Sequence, residues 1–141
     1  MNPSLLDQMR REYEFISKEF QDLKTRLLEL IEYEELDILN TYDITQLQDY
    51  GREKSILFWK IKCAEIDMEL SRIRDDHPDE DYPVEYYRLC AKKYECYDNQ
   101  LRVEKDEFTY NRYHKPVIQH KIMSFKSRAK NLKSFQERCL V

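Results

Sequence analysis

Apolar side chains recur at alternating steps of three and four residues along the N-terminal segment. The series comprises Leu6, Met9, Tyr13, Ile16, Phe20, Leu23, Leu27 and Leu30. Such steps place side chains on one side of an α-helix, so the series predicts a helix over 4–38 with a coiled-coil seam. Asn2 before Pro3 predicts the helix start, because asparagine caps helices and proline suits the first turn.

The next segment has two such stripes on different sides. One stripe comprises Ile56, Trp59, Cys63, Ile66, Leu70 and Ile73, and the other comprises Leu47, Tyr50, Leu57, Ile61, Ala64 and Met68. A helix that is apolar on two sides packs between neighbours. We therefore predict a second helix over 44–74, which follows a break at Asn40 to Asp43. Gly51 lies near its start, where it allows a bend or a close approach of another segment.

Proline and acidic residues predict where the following helices begin and end. Pro78 disfavours helical geometry at His77, and the carboxylates from Asp75 to Asp81 repel one another, so we predict a loop. Pro83 suits the first position of a third helix over 83–114. Pro116 should kink or end that helix near His114, since it has no backbone N–H to donate.

The third segment also has two apolar stripes, and a fourth series follows Pro116. The third-helix stripes comprise Tyr87, Cys90, Tyr94, Tyr97, Leu101 and Phe108 on one side and Leu89, Cys96, Val103 and Tyr110 on the other. The fourth series comprises Ile118, Ile122, Phe125, Ala129, Leu132, Phe135 and Cys139, and predicts a helix over 117–138 that either extends the third or folds back on it. The four predicted helices give an all-α fold. Short connections between them favour antiparallel neighbours. The expected form is an elongated antiparallel bundle or coiled coil of three long helices with a fourth after Pro116.

Composition favours helices over sheets and disorder. The 141 residues fit a single domain over 1–141, and one glycine leaves few turns for a sheet. A content of 41% hydrophobic and 13% aromatic residues argues against disorder. No apolar run approaches the roughly 20 residues that span a bilayer, and the N-terminal residues lack the signal-peptide pattern. We therefore expect a cytoplasmic protein with no membrane contact.

The four cysteines are Cys63, Cys90, Cys96 and Cys139. They form no Cys-x-x-Cys pair and lie among apolar neighbours, as reduced structural thiols do. The alternative is a reactive thiol or an intermolecular disulfide, for which Cys139 near the C-terminus is the most exposed candidate.

Motifs for catalysis and cofactor binding are missing from the sequence. A single glycine excludes a phosphate-binding loop and a dinucleotide fingerprint. His77, His114 and His120 have no helical metal-binding spacing, and the segment from Asp75 to Asp81 lacks the glycine of an EF-hand loop. We expect a protein that is not an enzyme and that binds no cofactor and no metal.

Charge is distributed unevenly along the chain. Residues 1–110 hold 16 Lys and Arg against 27 Asp and Glu, a balance of −11, whereas residues 111–141 hold eight Lys and Arg against Glu137 alone, a balance of +7. The basic segment predicts a contact with nucleic acid, because lysines and arginines displace counterions from phosphates. The residues expected to form this contact are Lys121, Lys126, Arg128, Lys130 and Lys133. The alternative, which we favour, is that a basic helix balances the charge of an acidic first or third helix.

The acidic part of the chain allows another hypothesis. An acidic inhibitor, of the kind that phages encode, could imitate a nucleic acid in the basic channel of an enzyme. The lysines and arginines among the acidic residues of the first helices weaken this hypothesis, because a mimic needs few basic interruptions.

Tyrosine is in excess, with 11 residues, and is crowded into the third helix. Tyrosine suits surfaces that are partly apolar and partly wet, so we predict a protein-binding face at Tyr86, Tyr87, Tyr94 and Tyr97. The alternative is the edge of a bundle core, with hydroxyls that reach water. The leading hypothesis is a non-enzymatic interaction module, a scaffold, adaptor or inhibitor that binds a protein partner or associates with itself.

Overall fold

The computed structural model describes residues 3–33 and 41–140. Over these residues the chain forms four helices: α1 (Pro3–Glu32), α2 (Thr41–Asp76), α3 (Val84–Glu104) and α4 (Lys115–Cys139). A helical turn at Glu107–Thr109 and a π-helical segment at Tyr110–His114 connect α3 to α4. No strand occurs in the described ranges. The prediction of an all-α bundle with a fourth helix after Pro116 is therefore confirmed.

The ends of the first three helices differ in part from the predicted bounds. Helix α1 ends at Glu32. Three predicted features lie outside the described residues: the helix end at 38, the cap at Asn2 and the first residue of the break, Asn40. Helix α2 spans Thr41–Asp76, so it includes the last three residues of the predicted break and the first two residues of the predicted acidic loop. Pro83 is the residue before α3 instead of its first residue, because its ψ of 164° is extended.

The structure ends the third helix at Glu104, whereas the apolar stripes predict a helix as far as 114. Lys105 and Asp106 both have extended backbones, with ψ of 152° and 159°. The Asp106 carboxylate accepts hydrogen bonds from the N–H and the hydroxyl of Thr109, at 2.9 and 2.8 Å. An aspartate that caps a new turn competes with continuation of the old helix, and this explains the earlier end.

Pro116 was predicted to kink or end the third helix near His114, but that helix ends at Glu104, and a separate π-helical segment, Tyr110–His114, precedes Pro116. The N–H of Lys115 donates to the carbonyl of Tyr110, five residues earlier, which closes the π-helical segment. Pro116 itself lies in the first turn of α4, where a missing N–H costs no helical hydrogen bond. The wider turn thus accommodates the proline at the start of a new helix.

The chain forms two compact units that divide between Phe58 and Trp59, and α2 contributes to both. We call them the first unit and the second unit. The single domain over 1–141 stays a prediction.

The first unit pairs α1 with the first part of α2 in antiparallel directions. The rings of Tyr13 and Phe58 have centroids 6.4 Å apart, and Phe20 lies opposite Gly51. A Cβ atom on Gly51 would come within 3.2 Å of Phe20 Cε2, so the glycine provides the predicted close approach.

The second unit combines the rest of α2 with α3 and α4. Its core is a cluster of buried residues on α2 and α3, against which Phe125 of α4 packs. The cluster comprises Ile66, Leu70, Leu89, Cys90 and Cys96. Lys93 Nζ lies 2.7 Å from Asp67 Oδ1 and joins α3 to α2 beside this core. The predicted α2 stripe thus faces α3 at Ile66 and Leu70.

Helix α4 folds back on α3, which decides between the two predicted courses of the C-terminal segment. Tyr94 stacks on Phe125 with ring centroids 5.8 Å apart. Leu101, Tyr110 and Ile118 form a second buried cluster nearer the turn.

In the part of the chain that the structure describes, no helix is both long and apolar enough to cross a bilayer.

Candidate interaction surfaces

The predicted tyrosine face is divided between packing roles and exposure. Tyr86 stacks on Tyr82 with ring centroids 4.0 Å apart, and its hydroxyl accepts a hydrogen bond from Arg74 Nε at 3.2 Å. Tyr87 meets Tyr86 edge to face at 5.4 Å. These contacts hold the α2–α3 turn together, in keeping with the alternative of a core edge.

The two remaining tyrosines of the predicted face lie farther along α3. Tyr94 stacks on Phe125 and packs against the cluster of Leu101 and Ile118. Tyr97 is 39% exposed. The structure therefore gives Tyr94 a role in packing and leaves Tyr97 the most accessible of the four, while protein binding here stays a prediction.

The predicted nucleic-acid residues are all exposed on α4, but they do not share one side of the helix. At about 100° per residue, Lys121 and Arg128 lie about 60–80° to one side of the stripe that faces α3. The other three lie about 60–120° to the opposite side. They are Lys126, Lys130 and Lys133. The structure thus separates the predicted site into two flanks.

Only part of the positive charge of α4 is balanced by α3. Lys126 Nζ lies 2.8 Å from Glu95 Oε1, in a pair with both side chains well exposed. Such pairs stabilise by about 0–1 kcal/mol. Over its own range α3 holds four basic and four acidic residues, whereas α4 holds seven basic residues and one acidic residue. The predicted balance with an acidic third helix is therefore incomplete, because α3 is neutral.

One flank of α4 combines positive charge with exposed apolar side chains. Its positions follow steps of four and three: Val117, Lys121, Ser124, Arg128, Asn131 and Phe135. Val117 and Phe135 are both more than half exposed, and none of the six positions holds Asp or Glu. The guanidinium of Arg128 lies 5.6 Å from the centroid of the Phe125 ring, which orients it along the helix. We call this set the α4 flank.

A second surface that the sequence did not single out lies where α1 ends and α2 begins. Five large apolar side chains there are 46–72% exposed: Leu28, Ile31, Tyr33, Tyr42 and Ile44. The Arg26 guanidinium lies 3.5 Å from the Asp43 carboxylate and fixes this end of the antiparallel pair. We call the five residues the hairpin end. The sequence contained a signal of this surface, because Leu28 and Ile31 are apolar residues that fall outside the three-four steps of the predicted α1 seam.

A polar pocket lies beside the hairpin end in the first unit. Its lining comprises Glu19, Asp22, Leu23, Arg26, Asp43, Gln46 and Tyr50. Its one cation, Arg26, is already paired with Asp43. Within residues 3–33 and 41–140, no group of three or more His, Cys, Asp and Glu side chains is gathered to hold a metal ion.

Comparisons with known proteins give no relative of this chain: no family model matches it, and neither does any curated protein or any solved structure.

Proposed function

We propose that this chain is a non-enzymatic helical module that binds proteins, and that its partner at the hairpin end is a second copy of the same chain. The supporting observation is the exposure of five large apolar side chains at that end. Contiguous exposed apolar surface is typical of protein contacts.

Charge supports a second copy as the occupant. The described residues of the first unit hold seven Lys and Arg against ten Asp and Glu, whereas α4 is basic and exposes Val117 and Phe135. Each chain thus carries an acidic apolar surface and a basic apolar surface. Complementary surfaces of this kind speed encounter and set orientation. A contact between two different surfaces is heterologous, and such contacts form rings or filaments.

Sedimentation velocity over a range of protein and salt concentrations tests this proposal. The wild-type chain should gain mass as its concentration rises, and salt should weaken the association. Replacement of Ile31 and Tyr42 by serine should lower the association about tenfold or more, because it removes two exposed apolar anchors. Phe15→Ser is the control, since Phe15 is also exposed on α1 but lies outside the hairpin end. A wild-type chain that stays monomeric throughout contradicts self-association.

A cytoplasmic location is part of the proposal. The four cysteines are free, which is usual in a reducing compartment.

Nucleic-acid binding is a second candidate function, supported by the α4 flank. Lys121 and Arg128 lie two helical turns apart, about 10 Å, with no carboxylate at the flank positions between them. Binding through these residues should be salt-sensitive. Replacing both with glutamine should weaken it, while the Ile31 and Tyr42 replacements should not. That contrast distinguishes this candidate from self-association.

A further inference from the structure

The turn between α3 and α4 presents an arginine between two exposed aromatic rings. Phe108 is 64% exposed and Tyr113 is 60% exposed. The guanidinium carbon of Arg112 lies 5.8 Å from the ring centroid of Phe108 and 5.7 Å from that of Tyr113. Both distances fall within the roughly 6 Å reach of cation–π attraction. We call these three residues the turn triad.

The backbone beneath the turn triad is firmly anchored. Tyr110 is buried, and its hydroxyl donates a hydrogen bond to the Asp98 carboxylate on α3. The guanidinium of Arg102 lies 4.6 Å from the centroid of the Tyr110 ring. Asp106 caps the preceding turn through Thr109. The rings of the triad are therefore exposed on a fixed segment, which reduces the entropy that a ligand must remove on binding.

Flat aromatic rings beside a guanidinium suit the faces of unpaired bases. Bases stack on aromatic side chains and on arginine planes, and the arginine also attracts phosphate. The α4 flank follows the triad closely in sequence, since Val117 lies four residues after Tyr113. Glu107 is the nearest carboxylate in sequence to Phe108, and it lines an open pocket together with Arg102 and Lys105.

We propose that the turn triad and the α4 flank together bind single-stranded nucleic acid. Phe108 and Tyr113 stack on unpaired bases, while Arg112, Lys121 and Arg128 contact phosphates. This inference rests on the nucleic-acid candidate above and specifies its ligand. A duplex is a poorer ligand, because its base faces are already stacked and exposing them costs free energy. An acidic peptide would engage the cations but would give the two rings no flat partner.

Fluorescence anisotropy with the full chain tests the ligand class. The probes are fluorescein-labelled oligo(dT) and oligo(rU) and a duplex of equal length. About 20 nucleotides is long enough to cover a single-strand site. Unlabelled polyglutamate serves as a competitor. The single strands should bind at low salt at least about tenfold more tightly than the duplex, and polyglutamate should compete weakly.

Variants test the residues. Paired replacement of Phe108 and Tyr113 by alanine should weaken single-strand binding about tenfold or more. Its control replaces Phe15, an exposed aromatic residue of the first unit outside the hairpin end, by alanine and should bind as the wild type does. Arg112→Lys keeps the charge but loses the planar group, so it should also weaken binding. Paired replacement of Lys121 and Arg128 by glutamine should lower the salt slope by about 1.4, since each phosphate contact on a single strand contributes about 0.7.

Two kinds of failure are distinguishable. If the Phe108 and Tyr113 pair leaves affinity unchanged while the Lys121 and Arg128 pair lowers it, base stacking is wrong and the candidate function stands. Equal binding of duplex and single strand, or full competition by polyglutamate, also means that base stacking is wrong. If the wild-type chain binds no probe at low salt, both the single-strand inference and the nucleic-acid candidate function are wrong. Thermal melting by circular dichroism verifies that each variant is folded.

Discussion

The phenol of Tyr110 donates a hydrogen bond to the Asp98 carboxylate and so joins the π-helical segment to α3. Arg102 Nε donates to the other oxygen of this carboxylate at 2.9 Å. Burial raises the pKa of the Tyr110 hydroxyl above its ordinary value, so the group remains a donor at neutral pH. This contact stabilises the turn where the chain reverses direction.

Tyr110→Phe should lower the free energy of unfolding by about 1–2 kcal/mol, because it removes the hydroxyl donor from a charged acceptor. Urea unfolding followed by circular dichroism measures the change. Tyr113→Phe is the matched control in the same segment, and its exposed hydroxyl should contribute less than about 0.5 kcal/mol. Equal stability of the two variants would mean that the Asp98 contact adds nothing.

The thiol of Cys63 should make stability fall at alkaline pH. Burial, with the charges of Cys96 and Asp67, raises the pKa of Cys63 from 9.0 to about 11. A pKa that is raised by folding stabilises the folded state while the thiol is protonated. That contribution is complete below about pH 9 and is lost as the pH rises through about 11.

Cys63→Ala should therefore lose less stability than the wild type between these pH values, whatever its stability at neutral pH. Melting temperatures across the alkaline range give the comparison. Cys139→Ala is the control, because Cys139 is exposed, and it should keep the wild-type slope. Identical slopes in all three proteins would contradict the prediction.

Glu80→Gly should stabilise the chain by up to about 1 kcal/mol. Among the described residues, Glu80 is the one non-glycine residue with a positive φ, 61°, and its side chain is exposed. Glycine adopts this conformation without steric cost. Glu80→Gln keeps the side chain and removes the charge, so it separates this effect from carboxylate repulsion. Asp79→Gly should be neutral or destabilising, and a similar gain from it would refute the backbone explanation.

Substitutions at Gly51 should depend on side-chain size. Alanine improves helix propensity by about 1 kcal/mol, but its Cβ would lie 3.2 Å from Phe20 Cε2, so the net change should be small. Leucine should destabilise by about 1–3 kcal/mol, because it must displace the Phe20 ring. Chemical unfolding of both variants provides the measurement. The double variant Gly51→Leu with Phe20→Ala should recover part of the loss if the two sites are in contact.

The fold could be predicted largely because it depends on local periodicity. Steps of three and four residues place the seam of α1 against α2 and bring Ile66 and Leu70 against α3. The start of a helix at Pro116 is likewise local, because proline suits the first turn. The end of α3 was not predicted, because the apolar stripe continues through Phe108 and Tyr110 while the Asp106 cap ends the helix.

The candidate surface residues could not be predicted fully from the sequence, because hydrophobic periodicity does not show which side chains contact one another. Tyr94 was a candidate by residue type, but its stacking partner Phe125 is known only from the packing of α4 on α3. The turn triad was missed because the apolar pattern placed Phe108 in a packed stripe of the third helix, whereas the structure leaves Phe108 exposed beside Arg112. An aromatic residue and an arginine four positions apart, close to a capping aspartate, were the available signal.

Helix α2 supplies side chains to both units, and its backbone is uninterrupted from Phe58 to Trp59. A protease that cuts between the units would have to unwind the middle of a helix, where the peptide bond is held by hydrogen bonds on both sides. Limited digestion should therefore spare this junction and cut first at exposed non-helical sites. Truncation at Phe58 would leave each fragment with a severed helix end whose amide and carbonyl groups have lost their partners.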